Sequence, residues 1–297
     1  MEGVPTRPRK ASTVVLVRQH HEALQVYLLK RSPRSSFMPG NYVFPGGTID
    51  PEDQEPDLWG AHTDLTPQEM TRRLGGGLSE EDLLAHGVAA VRETFEEAGV
   101  FLVNGHTDED EGMRLLCRQR SKERPPKGWL RRWLTTRGAT LALSLLGRWS
   151  HWITPEPRRQ RFDTRFFLAF PPPGQECTPD NRETVHGLWI RPEQALLGNL
   201  RGDIPLSPPA LVTLHELLTY SDIGKIGRDL NTRPWGEARL PRLVPLTDGA
   251  LILLPWDPMY HTLYQAEFKV SNKDVLAPGE PFSRLWYQDG IWHPVGR

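Results

Sequence analysis

Nine residues, RETFEEAGV at positions 92–100, constrain this chain more than any other stretch. At helical spacing, Leu84, Val88, Val91 and Phe95 fall on one side of the helix that runs into it, and Glu93, Glu96 and Glu97 on the other. Carboxylates at i, i+3 and i+4 repel one another by roughly a few tenths of a kcal/mol per pair. They also sit in the last turn, before the stop at Gly99, where the helix dipole disfavours negative charge. Two readings follow: a solvated helix end, or a site for a hard divalent ion. Mg²⁺ or Mn²⁺ takes oxygen ligands and bridges to substrate phosphates.

The whole chain narrows what such an ion would serve. Its 297 residues suffice for one large domain or two modest ones. With 36 Lys and Arg against 37 Asp and Glu, the net charge of -1 offers no field for nucleic acid or an anionic membrane, so a small-molecule nucleotide is the expected partner. Cys117 and Cys177 form no CxxC pair, which excludes a zinc ribbon and a disulfide framework and points to a reducing cytoplasm. No run approaches the roughly 20 apolar residues of a membrane helix. The apolar stretch before Arg18 is too short for a signal and reads as a strand.

STVVLVR and LQVYLLKR, separated by the polar QHHEA, predict an antiparallel strand pair. Thr66, Pro67 and Glu69 form a capping box for a short helix closed at Gly75–Gly77, and Ser79 starts the glutamate helix. RFDTRFFLAF and HGLWI read as strands, and the run from Pro208 as a helix. Interleaved strands and helices predict α/β or α+β. The expected division is a main domain over 1–238, with insertions at about 52–80 and 104–140, and a β-rich C-terminal extension over 239–297 packed on it. The basic run 118–132 reads as a solvated helix face.

FPGG at 44–47 together with the glutamate helix resembles the Nudix box, G-x5-E-x7-R-E-U-x-E-E-x-G-U, where U is aliphatic. Arg92, Glu93, Glu96, Glu97, Gly99 and Val100 match, and Thr94 departs at an aliphatic position. Arg92 follows Gly47 by 45 positions where the contiguous pattern allows 14, so 31 residues are inserted and the box is split. Counting forward from Gly47 puts Asp53 at the first glutamate position and counting back from Arg92 puts Leu84 there; neither is Glu, and the position is left out of the expected site. One Nudix branch, similar to mammalian peroxisomal coenzyme A diphosphatase, carries such an interruption. The chain also resembles it in LLKRSPRSSFMPGNYVFPGGTID, WITPEPRRQRFDTRFFLAF, LWIRPEQAL and LLPWDPMY. Of a signature for coenzyme A in related enzymes, Arg31, Ser32, Gly40 and FPGG are kept, while Ser36 replaces an arginine.

The resemblance implies a Nudix α/β/α sandwich with a mixed sheet, and metal-dependent hydrolysis of a nucleoside diphosphate linked to another group. Coenzyme A or acyl-coenzyme A is the first choice, with ADP-ribose or NADH, or a non-catalytic nucleotide-sensing role, as alternatives. It implies Glu93, Glu96 and Glu97 as ligands of Mg²⁺ or Mn²⁺ and Arg92 as the group that orients them. Glu93 or Glu183 would be the base, and Gly46 and Gly47 would allow close backbone approach. Arg158, Arg159 and Arg161 are candidate phosphate contacts, with a solvated turn as the alternative. Asp163 and Arg165 share one strand face that either lines the pocket or meets solvent. The ending PVGR is no Ser-Lys-Leu-type address, which keeps the cytoplasmic expectation.

Overall fold

The alternation of apolar side chains along β1 (Arg9–His20) sets the layers of the molecule. In the computed structural model, which describes residues 6–105, 111–156, 158–247, 249–261 and 275–296, Val14 and Leu16 enter one core cluster while Val15 and Val17 enter another. This is the period of two that a strand imposes. β1 pairs antiparallel with β2 (Ala23–Arg31) from Val17–Val26 to His20–Ala23, the expected hairpin. β3 (Tyr42–Val43) extends β2, and β4 (Gly46–Thr48) lies along the first half of β1 with Gly47 opposite Ser12.

The residues that split the glycine pair from Arg92 form a 3-10 turn at Pro51–Gln54 and two short helices, α1 (Pro56–Gly60) and α2 (Pro67–Leu74). The Thr66–Glu69 capping box is present in both directions. Ser79 caps α3 (Glu80–Ala98), and Gly99 ends it at φ 76°, a left-handed conformation that favours glycine. α1 and α2 both lie against α3.

Beyond β5 (Val103–Asn104) come α4 (Glu111–Arg120), α5 (Trp129–Arg137) and β6 (Thr140–Leu141). Residues 106–110, part of the expected 104–140 insertion, lie outside the described residues. β7 (Gly147–Ile153) and β8 (Phe162–Ala169) are antiparallel, whereas β8 runs parallel to β1 from Arg9–Phe162 to Leu16–Ala169. β9 (Thr184–Ile190) joins the free edge of β2. The result is a mixed seven-stranded sheet. α3 covers one face, and α6 (Pro192–Arg201), α7 (Pro208–Leu217) and α8 (Ile223–Leu230) send Leu196, Leu211, Leu214 and Ile226 into the cluster on the other. This is an α/β/α sandwich. A second sheet, β10 (Arg242–Leu246), β11 (Gly249–Leu253), β12 (Arg284–Gln288) and β13 (Ile291–Val295), is antiparallel throughout. Asn199 on α6 donates to the Trp292 carbonyl on β13, one tie between the two sheets' elements. Residues 262–274 of the C-terminal stretch lie outside the described residues. Among the described residues, no helix is long and apolar enough to cross a membrane.

Candidate functional site

The glutamates at the end of α3 are not solvated. Glu93, Glu96 and Glu97 are 8%, 8% and 5% exposed, and every residue from Leu83 to Ala98 is buried. The reading of a solvated helix end is therefore corrected. The 3-10 turn, the connection after α4 and the loop before β9 close over the carboxylate side, as the following contacts show.

Arg92 reaches back across the split. Its Nε and one terminal nitrogen donate to the two oxygens of Asp53 at 2.9 and 2.8 Å. It also donates to the Thr48 carbonyl at 3.0 Å and to Glu93 Oε1 at 2.7 Å. Asp53, 2% exposed, the residue the forward count from Gly47 places at the first glutamate position, is thus the buried partner of Arg92, outside the lining of the acidic cavity. The count itself was the available signal. A shorter carboxylate suffices because the 3-10 turn, whose Asp50 N–H donates to Asp53 Oδ2, brings it to the guanidinium. Burial alone would lower the pKa of Arg92, but its hydrogen bonds to Asp53 and the nearby Glu93 charge outweigh it and hold the group charged.

Each glutamate of the cluster spends one oxygen on a protein donor. Glu93 Oε1 accepts from Arg92, Glu96 Oε1 from the Trp129 indole N–H at 2.7 Å, and Glu97 Oε2 from the Gly46 N–H at 2.9 Å. The second oxygen of each accepts no hydrogen bond among the described residues. Gly47 makes room for this arrangement, since a Cβ there would lie 2.4 Å from Glu93 Oε1. Gly46 contributes its N–H.

Burial is the largest influence on all three acids and raises them. Glu93 is pushed up to about 7, opposed by Arg92 and assisted by the Glu96 charge. Glu96 rises with Arg92 and the Trp129 hydrogen bond pulling against it. Glu97 lies well above the carboxylate range, with repulsion from Glu93 added to burial. Such a cluster is stabilised by taking up protons or a cation. All-oxygen donors, each with one oxygen uncommitted, suit a hard divalent ion. Among the described residues, no three His, Cys, Asp or Glu side chains already gather at ligand distance. Each carboxylate leans instead toward its own donor, as mutual repulsion requires.

The basic run 118–132 is solvated along most of its length, as expected, with Arg118, Lys122, Arg124, Lys127, Arg131 and Arg132 exposed, but Arg120, Trp129 and Leu130 turn inward. Arg120 is 1% exposed and donates to the Glu96 main-chain carbonyl at 3.0 Å and to the Thr178 carbonyl and hydroxyl at 2.8 and 2.7 Å. It places a cation at the C-terminal end of α3, where the dipole favours one. Trp129 packs its ring on Phe95 and Phe101 while its N–H holds Glu96. Sequence reasoning missed these residues, although two tryptophans within a charged run were the visible signal.

Glu183 arrives from the loop before β9. Buried Asp180 accepts from the backbone N–H groups of Arg182, Glu183 and Thr184 and from the Thr184 hydroxyl, which fixes the loop. Glu183 is itself exposed, and it lines one cavity with Glu93, Glu96 and Glu97, joined there by Arg124 and Arg182.

The three arginines expected to meet phosphate are not in that lining. Arg161 is buried and donates to the Thr154 and Thr6 carbonyls at 3.0 and 2.9 Å. It anchors the segment ahead of β1 to the end of β7. Arg158 and Arg159 are exposed on the turn before β8. Asp163 and Arg165 form neither a pocket wall nor a freely solvated face. Asp163 takes His151 Nε2 at 2.5 Å, and Arg165 lies over the Trp235 ring.

Residues 8–217 match the family described as the NUDT19 Nudix domain. The human acyl-coenzyme A diphosphatase NUDT19 is 30% identical over 95% of this chain and 89% of its own length. The counterpart of the same name from Gallus gallus is 29% identical over 88% of this chain and 81% of its own. A crystal structure of a Nudix hydrolase from Alicyclobacillus acidocaldarius superposes with a TM-score of 0.59 at 27% identity, covering 78% of this chain and 99% of that one.

Proposed function

We propose, from the premise that this chain belongs to the Nudix hydrolases through its NUDT19 Nudix domain, that it cleaves the diphosphate linkage of coenzyme A or an acyl-coenzyme A. The products are 3′,5′-ADP and 4′-phosphopantetheine or its acyl derivative. The observation that carries the chemistry is the gathering of Glu93, Glu96, Glu97 and Glu183 around one cavity, with a box interrupted in sequence rejoined through Asp53 and Arg92. The substrate choice is supported by the activity named for relatives that match most of the chain.

In this reading Glu93, Glu96 and Glu97 would hold a divalent ion, Mg²⁺ or Mn²⁺. Such an ion neutralises diphosphate charge and lowers the pKa of water when bound. Arg92 keeps Glu93 oriented and is itself fixed by Asp53. Gly46 and Trp129 hold Glu97 and Glu96 so that one oxygen of each stays available. Glu183 stands at the exposed rim, and its carboxylate accepts no hydrogen bond among the described residues. It is the group that takes the proton of the attacking water. Arg158 and Arg159, exposed on the turn before β8, are candidates for a more distant phosphate. A compartment of action, with cytoplasm as the expectation, belongs to this proposal.

Product analysis by mass tests the reading. The protein is incubated separately with coenzyme A, ADP-ribose and NADH, each with Mg²⁺ or Mn²⁺. Release of 4′-phosphopantetheine and 3′,5′-ADP is expected, and cleavage of another compound alone would move the substrate.

A further inference from the structure

Two cations line the acidic cavity, and their situations differ. Arg182 is committed: it donates to the Arg120 carbonyl at 2.6 Å and lies 3.4 Å from Asp180. Arg124 has a side chain 63% exposed, and its nearest acidic partner, Glu96 Oε2, is 3.9 Å away, beyond hydrogen-bond reach. Among the described residues it donates no hydrogen bond. An exposed ion pair at that separation contributes little, so contacts within the protein do not use the donors of Arg124.

The loop that presents it is nevertheless built. Pro125 and Pro126 follow directly and restrict the backbone there. The Trp129 N–H donates to the Pro126 carbonyl, Glu52 accepts from the Gly128 N–H at 2.6 Å, and the Trp129 indole is tied to Glu96. The segment following α4 is therefore closed on itself at Pro126, tied to the 3-10 turn through Glu52, and tied through Trp129 to the helix that carries the glutamates. A diphosphate entering the cavity brings negative charge that the carboxylates can meet only through an intervening cation. A guanidinium meets it directly, by charge-assisted and often bidentate hydrogen bonds.

We propose that Arg124 donates to a phosphoryl oxygen of the bound diphosphate beside Glu96, which makes the segment between α4 and α5 a wall of the binding site. The inference rests on the diphosphatase reading above, deepens it, and concerns a residue that the Nudix box does not contain.

The test is equilibrium binding of inorganic pyrophosphate at saturating Mg²⁺, by calorimetry, to the full chain, Arg124→Ala, Arg124→Lys and the neighbouring exposed control Lys122→Ala. Manganese binding without pyrophosphate is measured on the same proteins. Arg124→Ala is expected to weaken pyrophosphate by about ten- to a hundredfold, Arg124→Lys by less, and Lys122→Ala not at all, with manganese affinity unchanged throughout. Equal pyrophosphate affinity in all four, no binding by any, or a change confined to manganese overturns the assignment; the last would mean that Arg124 acts through Glu96. Coenzyme A turnover by the unmodified chain is scored separately. Arginine-dependent pyrophosphate binding without coenzyme A cleavage would sink the substrate reading and leave Arg124 in place.

Discussion

Replacing Asp53 with Asn tests whether the split box is rejoined by one buried ion pair. Asn keeps the size but loses the charge, and it turns an amide N–H₂ toward Arg92, so a guanidinium donor that now has a partner at 2.8 or 2.9 Å goes unpaired. Removing one partner of a buried pair costs about 3–5 kcal/mol. Arg92 keeps its bonds to Glu93 and Thr48, which favours the lower end, about 3 kcal/mol. At an unfolding entropy of about 2.1 cal/mol/K per residue, a chain of this length loses about 5 °C in melting temperature. Arg92 also sets the position of Glu93, and a misplaced ligand lowers turnover by about a hundredfold. Calorimetric melting and steady-state kinetics on coenzyme A read both effects, and Asp53→Glu should retain more of each. A variant Asp53→Asn that melts within about 1 °C of the parent and turns over at the parent rate would refute the role given to this pair.

Gly47→Ala forces a methyl group to 2.4 Å from Glu93 Oε1, so turnover should fall by roughly a hundredfold while far-UV circular dichroism is unchanged; normal kinetics would remove Gly47 from the site. His86, buried beneath β1 with Nδ1 at 3.0 Å from the Ser12 hydroxyl, has its pKa lowered to about 4, chiefly by burial with Arg165 adding and Asp163 and Asp82 opposing. The unfolded chain therefore binds the extra proton first, and stability present above pH 6.5 is lost as pH falls toward 4, by up to about 3 kcal/mol. Urea denaturation at pH 7.5, 6 and 4.5 should show a shallower acid loss for His86→Gln than for the parent; parallel curves would contradict this.

Much of the frame was legible because it depends on local pattern. The β1–β2 hairpin follows from two apolar runs around QHHEA, and the Thr66 and Ser79 caps and the Gly99 stop follow from short motifs. The parallel pairing of β8 with β1 is a non-local choice that no window of sequence contains. The glutamates of α3 were identifiable by type and spacing, yet their burial was not, because the covering groups come from residues 53, 120, 129 and 183. Asp53 shows the limit most clearly. Across an insertion, counting forward and counting back gave Asp53 and Leu84, and only the fold, with Asp53 on Arg92 and Leu84 in the apolar core, decides between them. Arg161 shows the converse, since its density of neighbouring charge suggested a ligand contact while its Nε and one terminal nitrogen donate to the backbone carbonyls of Thr154 and Thr6.

In the proposed function, diphosphate cleavage depends on an ion that the buried acids at the end of α3 would hold. The most direct measurement is release of 4′-phosphopantetheine from coenzyme A by the parent and by Glu97→Gln, with Mg²⁺ or Mn²⁺ and with a chelator. Gln can still accept from the Gly46 N–H, so the variant should melt near the parent. The account predicts cleavage by the parent only when the cation is present, and a rate for Glu97→Gln lower by about a thousandfold, as expected when the groups that stabilise transition-state charge are lost. Cleavage that persists under chelation, or a Glu97→Gln rate close to the parent's, would contradict it.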